Sequence, residues 1–184
     1  MDNLFSWAIL SLALIFAAYA AFIIKDEKNV AVENGVGLEF HGFKFIIPRW
    51  WSITSENENK IVFERTDTRY DWKATFNFLN DNHADLQEVF ETMALKRKLV
   101  FDKDTSIVHS PSMLKELESE GINGLRVEGT ATQDEQERVY YDAFVIQCKN
   151  GGYLYLESRS SILNGLLEGP FFEQAISNIK KASD

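Results

Sequence analysis

Residues 4–24, LFSWAILSLALIFAAYAAFII, contain no charged side chain, and no other feature limits the chain as strongly. At the α-helical rise of about 1.5 Å per residue the run matches the ~30 Å hydrocarbon core of a bilayer. A helix buried in a globular core normally keeps a polar stripe, whereas only Ser6 and Ser11 interrupt this one. Trp7 and Tyr19 stand where interfacial aromatic residues commonly lie. The run therefore predicts a single transmembrane helix in contact with the lipid bilayer through residues 4–24. Ala18-Tyr19-Ala20 has the A-x-A form that signal peptidase reads, but residues 1–3 lack Lys and Arg, and the apolar run continues through Ala21-Phe22-Ile23-Ile24. Retention of residues 1–24 as an anchor is the expectation. Ala13, Ala17 and Ala21 recur every fourth residue, a small-residue ridge that suits close approach by another transmembrane helix, against the plainer reading of lipid-facing filler.

Residues 25–34, KDEKNVAVEN, are expected to form a short polar tether, which holds whatever follows close to the membrane. From Gly35 to the end, residues 35–184, there is no repeat, low-complexity tract or second shift in composition, so one globular domain is expected. The net charge of −9 argues against nucleic acid as a partner, because displacing phosphate counterions needs a concentrated Lys/Arg surface. A single cysteine, Cys148, leaves neither an intramolecular disulfide nor an all-cysteine metal site.

Within the domain, period-two alternation marks strands at Phe43–Ile47, at 60–65 (KIVFER), at Trp72–Phe78, at 125–131 (LRVEGTA), at 139–148 (VYYDAFVIQC) and at 153–158 (YLYLES). Lys149-Asn150-Gly151-Gly152 joins the last two as a hairpin, since Asn and Gly accept positive φ. Helical spacing appears between Ala84 and Leu99, with Leu86, Val89, Phe90, Met93 and Arg97 on one face and Asn82 or Asp81 as cap. It recurs in PFFEQAISNIKK, with Pro170 in the first turn and Phe172, Ala175, Ile176 and Ile179 as the buried stripe. A short acidic helix is expected between Pro111 and Glu120, capped by Ser110.

The order of these elements resembles the PsbP-like superfamily. The residues that carry the resemblance are GFKFIIP at 42–48, Trp51, INGLRVEG at 122–129, and YLYLES followed by FFEQAISNIK. It implies an α+β fold, an antiparallel β-sheet with helices packed on its faces as an α/β/α sandwich. It also implies an extracytoplasmic domain, while Lys25 and Lys28, on the C-terminal side of the apolar run, imply a cytoplasmic one by the positive-inside rule. The expectation adopted is a single-pass protein of the cell membrane with its domain outside the cytoplasm.

Residues 47–53, IPRWWSI, hold the candidate binding residues. Pro48 lacks the N–H of a sheet ladder and ends the Phe43–Ile47 strand, and Trp51 and Ile53 resume alternation on the next, which assigns Trp51 to the core. The family pattern often has glycine before this tryptophan; here Trp50 stands instead. Adjacent residues of an extended strand point to opposite faces, so Trp50 is expected near the surface beside Arg49. Arg and Trp are typical interface anchors, which makes Arg49 and Trp50 the candidate partner-binding pair. The competing reading is that the tether or a helix covers Trp50.

No residues carry a recognisable catalytic, metal or cofactor motif. His41, His83 and His109 each lack a second ligand at metal-binding spacing, and neither a G-x-S-x-G elbow nor a phosphate-binding loop is present. Gly35-Val36-Gly37 lacks the third glycine of a dinucleotide fingerprint, and His109-Ser110 reads as a polar loop. The acidic clusters Glu116/Glu118/Glu120 and Asp134/Glu135/Glu137 lack the EF-hand pattern and read as solvated loops; Cys148 reads as a buried small hydrophobe. Three classes of function remain: a non-catalytic accessory or assembly subunit whose partner is an integral membrane protein or complex, an envelope module binding a lipid or small apolar ligand, and an enzyme with a dispersed active site. The first is favoured.

Overall fold

The computed structural model describes residues 2–69, 71–80, 85–149 and 151–182. Helix α1 spans Asp2–Glu33 without a break, about 48 Å at the helical rise. It contains a window of mean hydropathy 2.4, long and apolar enough to cross a membrane by length and composition, none of it buried against the rest of the chain. Residues 25–33, the expected tether, are thus the last turns of that helix. Its two lysines, two glutamates and one alanine favour helix. The helix end docks on the domain. Ala31 is buried, and the Gly35 amide donates to the Val32 carbonyl at 3.1 Å. A Cβ at Gly35 would lie 2.3 Å from Ile46 Cγ2, so only glycine lets the chain pass so close to the sheet.

Strands β1 (Val36–Phe40) and β2 (Phe43–Ile47) form a hairpin through His41 and Gly42, both at positive φ. The Pro48–Trp50 turn, closed by Trp51 N–H to the Pro48 carbonyl at 3.1 Å, then carries the chain into a different sheet. This second sheet begins with β3 (Trp51–Asn57), β4 (Lys60–Arg65) and β5 (Lys73–Leu79). After helix α2 (Leu86–Lys96) come the short strands β6 (Leu99–Phe101) and β7 (Ile107–His109). A 3₁₀ turn at Pro111–Met113 and helix α3 (Lys115–Ser119) precede the long strands β8 (Gly124–Gln133), β9 (Glu137–Gln147) and β10 (Tyr153–Ser160). Helix α4 (Ile162–Ser177) and strand β11 (Lys180–Lys181) complete the described chain. The order of the larger sheet is β3-β4-β5-β10-β9-β8-β6, with β7 also on β8, and β1-β2-β11 form a separate three-stranded sheet; all pairings are antiparallel. The fold is α+β, with two antiparallel sheets where one was expected.

The larger sheet is buried on both sides at its centre, which is why β9 and β10 read as nearly continuous apolar runs. One face sets Phe63, Phe76, Phe144 and Leu156 against α4 and the small sheet, through Phe172, Ile176, Phe43 and Phe45. The other sets Ala143, Val145, Tyr155 and Val127 against Val89, Phe90 and Met93 of α2. Each fully buried side chain of this kind contributes roughly 1.5–3 kcal/mol.

Several expectations need correction. Helix α4 begins at Ile162, not at Pro170, which lies inside it. The glycines and proline of ILNGLLEGP argue against helix locally, but packing requires glycine at 165: a Cβ there would meet Tyr140 Cβ at 2.4 Å, so Gly165 lets α4 cross β9 in close contact. Helix α2 is shorter than the expected span and is capped by the Asp85 carboxylate, which accepts from Glu88 N–H at 2.8 Å. The expected cap candidates Asp81 and Asn82, with Ala84, lie outside the described residues. Arg97, expected on the buried face of α2, is its C-cap residue and pairs with Glu157 on β10. His109 belongs to β7 rather than a loop. The β9–β10 hairpin closes through Cys148 N–H to the Gly152 carbonyl at 3.1 Å, with positive φ at Gly151 and Gly152; Asn150 lies outside the described residues.

Candidate partner-binding surface

The turn after β2 places Arg49 in solvent and Trp50 half-buried, with Trp51 in the core at 5% exposure. Arg49 makes no ion pair among the described residues. Trp50 meets Phe171 of α4 edge to face, with ring centroids 5.1 Å apart, and the Arg65 guanidinium stands 5.5 Å from its ring centroid. Helix α4 lies beside Trp50 and covers part of its ring, which leaves the residue half-buried. The greater length of α4 adds Glu168 to Phe171, which the expected helix already held, on the part of the helix that reaches Trp50.

Glu168 organises this corner. It is fully buried on α4, and its carboxylate accepts from Trp50 Nε1 at 3.4 Å, from Trp51 Nε1 at 3.5 Å, and from Arg65 Nη1. Arg65, at the end of β4, also donates through Nε to Asp67 Oδ1 at 3.0 Å. Burial works against the Arg65 charge, but the hydrogen bonds to Asp67 and Glu168 outweigh it and raise its pKa. Trp51 continues inward against Trp72 at 4.6 Å between centroids, and Trp72 Nε1 donates to Ser158 Oγ at 2.8 Å. An ion pair from α4 to β4, bracketed by two indoles, thus fixes the rotation of α4 on the sheet.

That rotation decides what α4 shows to solvent. Leu163, Leu166 and Leu167 are 76%, 60% and 52% exposed, and their i, i+3, i+4 spacing puts them on one face. Singly exposed leucines are ordinary, but three on one face of one helix form a patch. Helix α1 packs against this same helix. Farther along α1, Ala13, Ala17 and Ala21 are exposed, with no other described element against them.

The remaining candidates from the sequence do not converge. His109 Nε2 lies 3.2 Å from Glu128 Oε1, while Ser110 Oγ lies 3.1 Å from Ser112 Oγ, so His109 and Ser110 do not form a nucleophile pair. No group of three or more His, Cys, Asp or Glu with metal-binding geometry occurs among the described residues. Cys148 is half-buried, and burial pushes its thiol up to about 11. Sequence reasoning missed Glu168, Arg65 and the leucine face. The available signal was the lone acid in LLEGPFF, an ionisable residue where the pattern is otherwise apolar.

No family model matches the chain, and no curated protein matches it in sequence. Solved structures do. The solution structure of cyanobacterial PsbP (CyanoP) from Synechocystis is 11% identical, covers 77% of this chain and 87% of its own, and superposes with a TM-score of 0.52. The Ran-binding protein Mog1p of Saccharomyces cerevisiae is 8% identical over 82% of this chain and 96% of its own, at a TM-score of 0.47. A Pseudomonas aeruginosa protein of unknown function is 10% identical over 78% and 94%, at 0.46. The chain has a PsbP-like fold, at low sequence identity.

Proposed function

We propose that the chain is a single-pass membrane protein acting as a non-catalytic accessory or assembly subunit, which presents a PsbP-like domain to an integral membrane protein or complex. The observation that carries this reading is the continuity of α1. An apolar segment with no cover from the rest of the chain runs without interruption into the turns that pack on α4. A domain joined this way is held close to the bilayer, with the leucine face on the very helix that receives the anchor. Leu163, Leu166 and Leu167, with Arg49 beside the Trp50 corner, are the proposed contact; interfaces favour an apolar centre with Arg at hand. Ala13, Ala17 and Ala21 are the proposed packing ridge within the membrane. The domain is proposed to lie outside the cytoplasm. The residues before Gly35 act as anchor and tether, and residues 35–184 as the presented domain.

The test uses the full chain in its own membranes. Alkaline carbonate should leave it in the membrane fraction, and blue-native electrophoresis in mild detergent should show an assembly well above the 21.1 kDa chain. Leu166→Glu with Arg49→Glu should collapse that assembly without changing the melting temperature, since exposed substitutions usually stay within about 0.5 kcal/mol. Extraction by carbonate refutes the anchor, and an assembly indifferent to both substitutions refutes the contact face.

A further inference from the structure

The opposite face of the larger sheet has a different character. Helix α2 covers β9, β8 and β6 there, and beside it, above β4, β5 and β10, lies an open cleft of about 260 Å³. Lys60, Lys73, Arg97 and Arg159 line it together with Tyr141 and a single carboxylate, Glu157. Four cations around one acid is a local inversion in a chain whose net charge is −9. Strand register explains the gathering. Lys73 of β5 stands opposite Arg159 of β10, and Lys60 of β4 stands opposite Asn77 of β5, so Lys60, Lys73 and Arg159 rise from one face, while Arg97 reaches the cleft from the C-cap of α2.

Part of this donor set is spent and part is not. Glu157 is buried; it takes Arg97 in a two-pronged ion pair, Nε to Oε2 at 3.2 Å and Nη2 to Oε1, and accepts from the Tyr141 hydroxyl, itself 3.0 Å from the Tyr155 hydroxyl. These contacts lock the guanidinium in place while leaving Nη1 without a hydrogen bond among the described residues. Lys73 pairs with Glu64 at 2.7 Å and Arg159 with Glu137, both rim pairs with at least one largely exposed partner, and such pairs exchange easily. Lys60 is half-buried and makes no ion pair among the described residues. Its register partner Asn77 has a buried side-chain amide nitrogen with no hydrogen-bond partner. A lysine without an ion pair, in a cleft with a clamped arginine and opposite in register to an unsatisfied amide behind the lining, is an arrangement short of acceptor oxygens; buried polar groups normally find partners.

We propose that this cleft binds a small polyvalent anion through carboxylate or phosphate oxygens. Lys60, Lys73 and Arg159 supply charge, and Arg97 supplies a pre-positioned planar donor. The negative field of the remaining surface repels long polyanions, which selects for a compact anion that fits within the cleft over a nucleic acid or an anionic lipid surface. The site stands apart from the α4 face and is independent of the reading given there.

The experiment is hydrogen–deuterium exchange of the full chain in neutral detergent micelles, with inorganic phosphate, citrate or chloride at equal ionic strength. Phosphate or citrate should protect peptides covering 60–64, 73–77 and 155–159, and chloride should not. Lys60→Ala with Lys73→Ala should raise the half-protecting concentration at least about tenfold, since each charge-assisted hydrogen bond commonly carries that much. Both lysines are partly exposed, and the melting temperature without anion reports that the variant folds. Protection by citrate alone assigns the site to an organic carboxylate, and protection by both assigns it to the shared oxyanion chemistry. Equal protection by chloride, no protection by either oxyanion, or undiminished protection in the double variant overturns the proposal.

Discussion

Replacing Glu168 with alanine should be among the most damaging single changes in the domain. The carboxylate is fully buried, and its partner Arg65 has a side chain 21% exposed, so removing the acid strands a partly desolvated cation. Breaking one side of a buried pair costs about 3–5 kcal/mol; the low end applies, because Arg65 keeps Asp67 and a path to water. Two indole N–H groups lose an acceptor as well, but at 3.4 and 3.5 Å those bonds are long and add about 0.5 kcal/mol each. The sum is roughly 3–4 kcal/mol. With a urea slope of about 2 kcal/mol per molar, the unfolding midpoint should fall by roughly 2 M. Pulse proteolysis of the full chain across a urea series in detergent measures it. Arg65→Leu combined with Glu168→Leu should recover most of the loss, since an apolar pair of similar volume is close to neutral against a buried ion pair. A loss under about 1 kcal/mol for Glu168→Ala, or a double variant as unstable as the sum of its singles, would refute the claim that this pair holds α4.

Two further outcomes follow from the α4 side of the sheet. Gly165→Ala, although alanine favours helix by about 1 kcal/mol, should destabilise by roughly 1–3 kcal/mol because its Cβ would lie 2.4 Å from Tyr140 Cβ; a neutral or stabilising result in the same urea assay would mean α4 can move off β9. Asp142, fully buried among Arg126, Glu128, Glu173 and Tyr140, with His109 reached through Glu128, is pushed by burial from 3.8 up to about 7 against the pull of Arg126. The native state therefore holds the proton more tightly than the unfolded chain, so this residue's contribution to stability is full below about pH 4 and is lost as pH rises toward 7. Asp142→Asn should flatten the decline in unfolding midpoint between those limits, and an unchanged slope would refute the assignment. Asp102, held down to about 2 chiefly by its hydrogen bond from Arg138, has the opposite sign and acts only below about pH 4, so the two windows do not overlap.

The strands were legible in the sequence to the extent that each has its own apolar rhythm. Phe43–Ile47 alternates because one side faces the core and the other solvent, and β9 and β10 read as long apolar runs because both sides are covered. Where a strand is short or lies at an edge, the rhythm is too brief to read. Strands β6, β7 and β11 have only two or three residues each, and β1 exposes most of its side chains. The division into two sheets was also hidden. Pro48 marks the end of a strand in sequence, but whether the chain then returns to the same sheet or enters another depends on what lies across the core.

The same limit accounts for the candidate surface. Trp51 was assignable to the core from strand parity, because parity is a local property. Trp50 was not, because its surroundings come from Glu168 and Phe171, more than a hundred positions away, on a helix turn that Gly165, Gly169 and Pro170 disguise. Those residues lower intrinsic helix propensity, and packing on Tyr140 together with the Arg65–Glu168 pair restores the helix. Local disfavour and tertiary requirement coincide along α4, and the helix that carries the exposed leucines depends on long-range contacts for its first half. A surface that owes its shape to such contacts is sensitive to changes in the core beneath it. Substitutions at Arg65 or Gly165, which touch no proposed partner, should therefore weaken the assembly attributed to Leu163, Leu166 and Leu167 as surely as substitutions of the leucines themselves.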